Sequence, residues 1–243
     1  MKYFLLTLIF GLGTCILPAQ IQRNLVVDAD AEARTVNGFT GIEVSGAIDL
    51  YISQGEQEGV AISANSDEIK QRIRTEVSSG ILHIYFDGKG LNWKKWGNHK
   101  MKAYVTYHTL NRLEASGACN IRTTDPIRQE ILRIELSGAS DFNGEVAIGK
   151  LTLSASGASN LKISGSADEL SVDANGACNV KGYELASRMC KIVASGASNV
   201  RITVNQELNA VASGGSTIFY KGTGLIRDIS SSGGASIKKR SDD

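Results

Sequence analysis

The sequence predicts an all-β protein built as a right-handed parallel β-helix, a β-solenoid with coils of about 19 residues. Two observations carry this prediction. A short glycine-centred phrase recurs seven times in the second half of the chain, and the residues around it alternate between apolar and polar. A fixed period of this length indicates one small unit stacked repeatedly on itself, and period two with abundant glycine excludes a helical solenoid.

The repeated phrase reads ASGACNI, LSGASDF, ASGASNL, ANGACNV, ASGASNV, ASGGSTI and SSGGASI. Successive central glycines are 21, 19, 19, 20, 18 and 19 residues apart. We expect each to form a corner of the coil, because glycine admits positive φ and close backbone approach. The predicted corners are Gly117, Gly138, Gly157, Gly176, Gly196, Gly214 and Gly233.

The coil over residues 151–169 shows the alternation. Leu151 and Leu153 alternate with polar residues before the corner, and Leu161 and Ile163 resume the pattern after it, which is typical of strands with one buried face. One coil buries too few aliphatic groups to offset the entropy of ordering about 19 residues. The coils must therefore stack, and parallel crossovers of this kind are right-handed.

Stacking would align polar residues into columns on either side of the corner. We favour a structural interpretation, in which stacked amides and hydroxyls hydrogen-bond along the axis. A ladder that binds a ligand or metal is the alternative, but a single aspartate in the second column is too little for a cation site. The columns are Ser116, Ser137, Ser156, Asn175, Ser195 and Ser213 before or at the corner, and Asn120, Asp141, Asn160, Asn179 and Asn199 after it.

Residues 1–19 are predicted to be an export signal, with Lys2 ahead of an apolar run and cleavage after Ala19. The run is too short for a good membrane span, so we expect no transmembrane segment in the mature chain. Cys15 raises lipidation as an alternative, although the residue before it is not the small one expected. Export implies the periplasm, the outer surface or secretion.

Residues 20–112 are predicted to be an irregular β region that continues into the regular coils of residues 113–243 as one domain. A short helix is expected within residues 66–75, with Ser66 as its N-cap. This region would cover one end of the stack, since an open β-helix end invites aggregation. At the other end, the charged residues from Lys238 onward would discourage strand addition.

Three cysteines follow the predicted signal: Cys119, Cys178 and Cys190. Cys119 and Cys178 occupy a position that is serine in other coils and would stand three rungs apart, roughly 14 Å. A disulfide requires Cα atoms within about 7 Å. We therefore expect small buried residues and no bridge between these two.

The segment over residues 88–100, GKGLNWKKWGNHK, is the most distinctive part outside the repeats. Aromatic faces beside hydrogen-bond donors suit sugar stacking or an anionic polymer, whereas the simpler interpretation is a hairpin tip packed on the body. It is the best candidate for ligand contact that the sequence offers. The candidate residues are Trp93, Trp96, Lys94, Lys95 and His99.

No catalytic signature, metal site or cofactor motif stands out in the sequence. Basic and acidic residues are balanced at 26 and 25, which gives no electrostatic footprint for nucleic acid. Parallel β-helices do include polysaccharide lyases and hydrolases. Here Asp173, Lys162, Lys191 and Arg201 do not form an evident acid–base set.

Several segments together resemble a known family, the auto-transporter adhesin, head GIN domain group of exported Bacteroidetes-type proteins. They are the signal peptide, FTGIEVSGAIDLYISQG, TEVSSGILHIYF and the serial SGASN coils. The resemblance implies a β-helix fold and an envelope location, and brings no catalytic residues. The leading hypothesis is a non-enzymatic adhesion or surface-binding protein whose partner is a glycan or another envelope protein. A carbohydrate-active enzyme and a purely structural envelope protein are the alternatives.

Overall fold

The computed structural model describes residues 28–90 and 100–241 of the chain. These residues form seventeen β-strands in one continuous hydrogen-bonded sheet, and one short α-helix. In chain order the elements are β1 Glu32–Arg34, β2 Gly41–Ser45, β3 Ile48–Gln54, β4 Gly59–Ala64, α1 Asp67–Arg72, β5 Ile73–Ser78, β6 Ile81–Phe86, β7 Met101–Tyr107, β8 Arg112–Ser116, β9 Asn120–Thr123, β10 Ile127–Leu136, β11 Asp141–Gly157, β12 Asn160–Gly176, β13 Asn179–Ala194, β14 Asn199–Ala212, β15 Thr217–Lys221, β16 Leu225–Ser231 and β17 Ser236–Lys239.

Strands β10 to β14 show the repeating unit most clearly. They pair in parallel, so that Leu132, Leu151 and Leu170 stand on successive rungs. These leucines are buried, and their side chains belong to a single apolar cluster that runs along the axis. Residues one coil apart are thus hydrogen-bonded neighbours, and the predicted β-solenoid with about 19-residue coils is confirmed.

Each regular coil crosses three stretches of sheet, which we call the first, second and third faces. The first face runs up to the corner glycine and holds β5, β6, β2, β8, β16 and the last parts of β10 to β14. The second face follows the corner and holds β1, β4, β7, β3, β9, β15, β17 and the first parts of β11 to β14. The third face joins the start of β10 to the middle of β11 to β14.

The N-terminal region extends the same solenoid, but its coils do not stack in chain order. Strands β2 and β3 form one coil, which lies between β8 and β9 on one side and β6 and β7 on the other. The coil of β6 and β7 is therefore the outermost one at this end, although it follows β2 and β3 in the chain. Strands β4 and β5 pair antiparallel with it, so the chain turns back over this end of the stack.

The predicted helix is present but shorter than residues 66–75. Helix α1 begins after Ser66, whose Oγ accepts a hydrogen bond from the Ile69 amide at 3.3 Å, and Ile69 is buried. The helix ends at Arg72 because Ile73 begins β5, whose ladder with β6 takes over the backbone hydrogen bonds.

Asp28 ties the start of the described chain to the second face. Its Oδ2 accepts hydrogen bonds from Tyr104 Oη at 2.8 Å and Lys102 Nζ at 3.0 Å. These bonds, the tyrosine's first, hold the pKa of Asp28 well below its ordinary value. The ionised carboxylate therefore stabilises the fold above the pKa of unfolded aspartate, about 4, and this contribution is lost as the pH falls through the lower folded pKa.

We expect Asp28→Asn to lower the urea midpoint of unfolding at neutral pH, because the charge-assisted hydrogen bonds are lost. The difference from the wild type should shrink as the pH is lowered below about 4. Asp30→Asn is the matched control, since the Asp30 side chain is exposed. A difference that stays constant with pH would contradict this account.

The C-terminal end of the stack is more open than the N-terminal end. Strand β16 is exposed along its whole length, including Leu225 and Ile226 at 67% and 50% exposure. Ile226 pairs in register with the buried Leu208, so it is exposed because no described rung follows it. Charged residues are present beside it, with Lys238 on β17.

The cysteines Cys119, Cys178 and Cys190 are free and buried. Burial raises the pKa of the Cys190 thiol to about 12 and also raises that of Cys119. Because all three thiols are buried and a disulfide reagent cannot reach them, we expect none of the three to react in the folded protein. All three should react in urea, as followed by peptide mass spectrometry. Fast native labelling of any one would show that its coil opens.

Candidate functional site

The five ligand-contact residues predicted from the sequence, Trp93, Trp96, Lys94, Lys95 and His99, lie outside the described residues. Their segment joins β6 to β7, whereas the neighbouring β2 and β3 are joined by a short Gly-Ala corner. The end of β6 lies against that corner, since a Cβ on Gly46 would be 3.1 Å from Phe86 Cβ.

The seven corner glycines all have positive φ, between 68° and 103°. They also stack directly on one another. A Cβ on Gly157 would lie 2.4 Å from the carbonyl oxygen of Gly138, and a Cβ on Gly138 would lie 2.4 Å from that of Gly117. Both the backbone conformation and the close approach require glycine at these positions, and the corner glycines present no side chain to a ligand.

A column of small buried residues closes each corner from inside. Ser159 Oγ donates to the carbonyl oxygen of Ser156 at 2.8 Å, and Ser216 Oγ does the same to Ser213 at 2.8 Å. Cys178 Sγ approaches the equivalent carbonyl of Asn175 at 3.3 Å. The column therefore stabilises the corner turn and is inaccessible to a ligand. Its members are Cys119, Ser140, Ser159, Cys178, Ser198 and Ser216.

The predicted amide column lies on the second face, in register from rung to rung. Asn120 Nδ2 donates to Asp49 Oδ1 at 2.7 Å, and Asn160 Nδ2 donates to Asp141 Oδ1 at 2.8 Å. These bonds run along the axis between successive rungs. They support the structural interpretation of this part of the column.

A groove of about 330 Å³ runs along the first face beside the corners. Strand register brings its lining residues together from five successive rungs, β2, β8, β10, β11 and β12. The groove presents carboxylates along one column and hydroxyl or amide groups along the next. The polar lining residues are Glu43, Glu114, Glu135, Asp173, Ser116, Ser137, Ser154, Ser156 and Asn175.

Arginines neutralise the middle of this groove. Arg112 Nε donates to Glu114 Oε1, and Arg133 Nε donates to Glu135 Oε1. Each pair lies two residues apart on one strand, and the two pairs occupy adjacent rungs. The bond from Arg133 lowers the pKa of Glu135, and the carboxylates raise the pKa of Arg112 and Arg133. Glu135 therefore stays ionised at neutral pH and accepts hydrogen bonds.

The two ends of the groove differ. At the N-terminal end, His83 Nδ1 lies 3.1 Å from Glu43 Oε2, which makes an ion pair when the histidine is protonated. At the other end Asp173 is exposed and forms no ion pair with another described residue. Between them the groove offers mainly acceptors, which suit a ligand rich in hydroxyl donors.

From the sequence, Asp173 was assigned to no evident acid–base set, and the other groove carboxylates were not predicted. The sequence does contain a pattern that identifies these carboxylates, because each carboxylate lies three residues before a corner glycine and so occupies the same position of its coil. The pairs are Glu43 with Gly46, Glu114 with Gly117, Glu135 with Gly138 and Asp173 with Gly176.

Neither a metal centre nor a membrane helix is found in the part of the chain that the structure describes. Residues 28–90 and 100–241 contain no group of three or more His, Cys, Asp or Glu side chains placed to hold a metal ion. No helix among the same residues is long and apolar enough to cross a membrane.

The stacked coils, glycine corners and outward polar columns define a parallel β-solenoid with polar outer faces. A family model described as "Putative auto-transporter adhesin, head GIN domain" matches residues 38–224. The chain belongs to this adhesin-like family, which confirms the resemblance found in the sequence. No match was found among curated proteins.

Solved structures of bacterial proteins share the fold. The crystal structure of "a putative adhesin" from Bacteroides fragilis aligns with a TM-score of 0.78 at 21% identity, covering 86% of this chain and 96% of that one. "A putative adhesin" from Parabacteroides merdae aligns at 0.69 and 18% identity, covering 86% and 95%. A "putative lipid binding protein" from Parabacteroides distasonis aligns at 0.67 and 18%, covering 88% and 98%.

Proposed function

We propose that the chain is an exported, non-enzymatic protein of the bacterial cell envelope that binds a surface glycan through the outside of its solenoid. The observation that carries this proposal is the first-face groove, which lines up hydroxyl and carboxylate acceptors from five successive rungs. An extended ligand rich in hydroxyl groups matches such a row of acceptors. Membership in an adhesin-like family supports the same role.

Ligand binding is tested on a glycan array with the purified chain. The groove variant combines Asp173→Asn with Ser156→Ala, both at exposed positions. The proposal expects recognition of one class of glycan and a drop of about tenfold in affinity for the variant, since two polar contacts are lost. The matched control is Glu184→Gln with Ser166→Ala, which changes the same groups outside the groove.

The double variant Trp93→Ala with Trp96→Ala tests whether the glycan binds in the groove or at the segment between β6 and β7. If the tryptophan variant abolishes glycan binding while the groove variant retains it, the segment is the site and the groove is not. A blank array together with no binding to cell-wall material would overturn the proposal of a glycan-binding protein.

Export is tested by N-terminal sequencing of the protein from its own host, or from a related bacterium that expresses it. Cleavage after Ala19 would give a chain that begins at Gln20, recovered from the periplasm, the outer surface or the medium. A chain that begins at Cys15 and carries lipid would establish the lipoprotein alternative. Retention of the first 19 residues in the cytoplasm would contradict export.

A carbohydrate-active enzyme is the second candidate, because the groove places carboxylates on adjacent rungs about 4.8 Å apart. Glycosidases need two carboxyl groups at comparable separations, one of them protonated to act as the general acid. The lowered pKa of Glu135 disfavours it as that acid. Release of reducing ends from a glycan bound on the array, lost in Glu114→Gln, would establish the enzyme.

A further inference from the structure

The second face carries a row of cations that the proposed function does not use. Each stands five residues after a corner glycine and in register with its neighbours. Successive rungs are about 4.8 Å apart, so the row extends about 19 Å along the axis. We call this row the basic strip; its members are Lys162, Lys181, Arg201 and Lys238. Arg122 lies in the same column, separated from Lys162 by the rung of Asn143.

These four side chains form no ion pair with another described residue. Cations elsewhere are commonly paired on their own face, as Arg133 is with Glu135 and Arg188 with Asp168. On the rungs β12 to β17, the outward positions of the basic strip and of the amide column hold no carboxylate among the described residues. Glu145 and Glu184 occur only further along their strands. The strip is therefore a local region of positive electrostatic potential, although the net charge of the chain is only +1.

Amide donors lie beside the strip. Asn179 and Asn199 stand two residues before Lys181 and Arg201, on the same face. Their Oδ1 atoms are buried without a hydrogen-bond partner, and no described residue accepts from their Nδ2 atoms. They differ in this from Asn160, whose Nδ2 donates to Asp141. Donors next to cations favour an anionic group over a neutral one.

An aromatic ring interrupts the strip between Arg201 and Lys238. Phe219 occupies that rung, half-buried, and the guanidinium of Arg240 lies over its ring at 4.3 Å. Arg240 therefore adds a fifth cation to this end. At the other end of the same column, Tyr51 and Tyr104 stack with centroids 5.2 Å apart. Aromatic rings in line with charges and amides suit a ligand that has both apolar ring faces and anionic groups.

We propose that the basic strip binds an extended acidic polysaccharide that lies along the solenoid axis. Like charges placed one rung apart repel each other, and a linear polymer with regularly spaced carboxylates or sulfates relieves that repulsion. Nucleic acid fits less well, because the phosphates of a duplex wind around its axis and meet a straight strip only at intervals. The proposal rests on the proposed function in that the polymer is a surface glycan, but it concerns a different face from the groove.

The test measures binding of a polygalacturonate oligosaccharide to the full chain by isothermal titration calorimetry at low salt. Lys181→Gln with Arg201→Gln removes two adjacent cations whose side chains point away from the core. We expect the affinity to fall about tenfold or more and the salt dependence of binding to become shallower. Circular dichroism establishes that the variant folds.

Arg128→Gln with Lys191→Gln is the matched control, because it removes the same charge from the other two faces. It should leave the affinity within about twofold of the wild type. Equal losses of affinity in both variants would show that binding depends only on the overall charge of the protein, and would overturn the site. Absence of polygalacturonate binding by the wild type would overturn the site as well. Equally tight binding of single-stranded DNA would overturn the preference for a polysaccharide, because the strip would then bind any polyanion.

The glycan array distinguishes failure of this proposal from failure of the proposed function. If the array or cell-wall binding is positive and unaffected by Lys181→Gln with Arg201→Gln, while polygalacturonate does not bind, only the basic strip is refuted. If neutral glycans fail and polygalacturonate binds through the strip, the groove is refuted instead.

Discussion

Gly157→Ala is expected to lower the free energy of unfolding by about 3 kcal/mol. A non-glycine residue at positive φ costs roughly 1–2 kcal/mol, and Gly157 has φ of 72°. The added Cβ would also lie 2.4 Å from the Gly138 carbonyl oxygen, and relieving such a clash in a well-packed stack costs about 1–3 kcal/mol. Urea unfolding followed by circular dichroism measures the loss.

Two other glycines separate these contributions. Gly80 has φ of 76° with no atom near its would-be Cβ, so Gly80→Ala should show the conformational cost alone. Gly59 has neither a positive φ nor a near neighbour, so Gly59→Ala should be neutral or slightly stabilising. If Gly157→Ala were no worse than Gly80→Ala, close stacking of the corners would not contribute to stability.

Leu153→Ala is expected to cost about 2–5 kcal/mol, the range for a large-to-small change in a packed core. Leu153 is 1% exposed and lies in register between Ile134 and Val172 on the adjacent rungs. Truncating the Leu153 side chain opens a cavity between the neighbouring rungs. The cavity cannot close, because strand pairing holds the rungs at a fixed spacing. The urea midpoint and the thermal midpoint should both fall.

Thr152→Ala is the control, since Thr152 directly precedes Leu153 on the same strand and points outward. It should change the free energy of unfolding by less than about 1 kcal/mol. Similar losses at both positions would contradict the period-two division between core and surface.

The two polar surfaces have opposite character and lie on adjacent faces of one solenoid. The groove on the first face offers acceptors such as Glu135 and Ser137, and the basic strip on the second offers donors such as Lys181. On the two coils that carry both surfaces, a corner glycine, Gly157 or Gly176, separates them. If both proposals hold, one solenoid binds two chemically different polymers at once, which is a direct route to adhesion.

Much of this arrangement was readable from the repeat. Counting from any corner glycine assigns the residue three before it to the groove column and the residue five after it to the basic column, as with Asp173, Gly176 and Lys181. The corner and amide columns were predicted by comparing equivalent positions across coils. The carboxylate and cation columns were not predicted, because some coils hold other residue types at those positions, such as Ser154 and Phe219.

The sequence by itself determined the β-solenoid, its coil length and its corner glycines, because a short period and hydrophobic alternation act locally and repeat in every coil. It did not determine how the N-terminal coils stack. Only the tertiary structure places β6 outside β2, which brings His83 beside Glu43 at the end of the groove. Such neighbours depend on which strand edge an irregular coil pairs with, and that choice leaves no periodic trace in the chain.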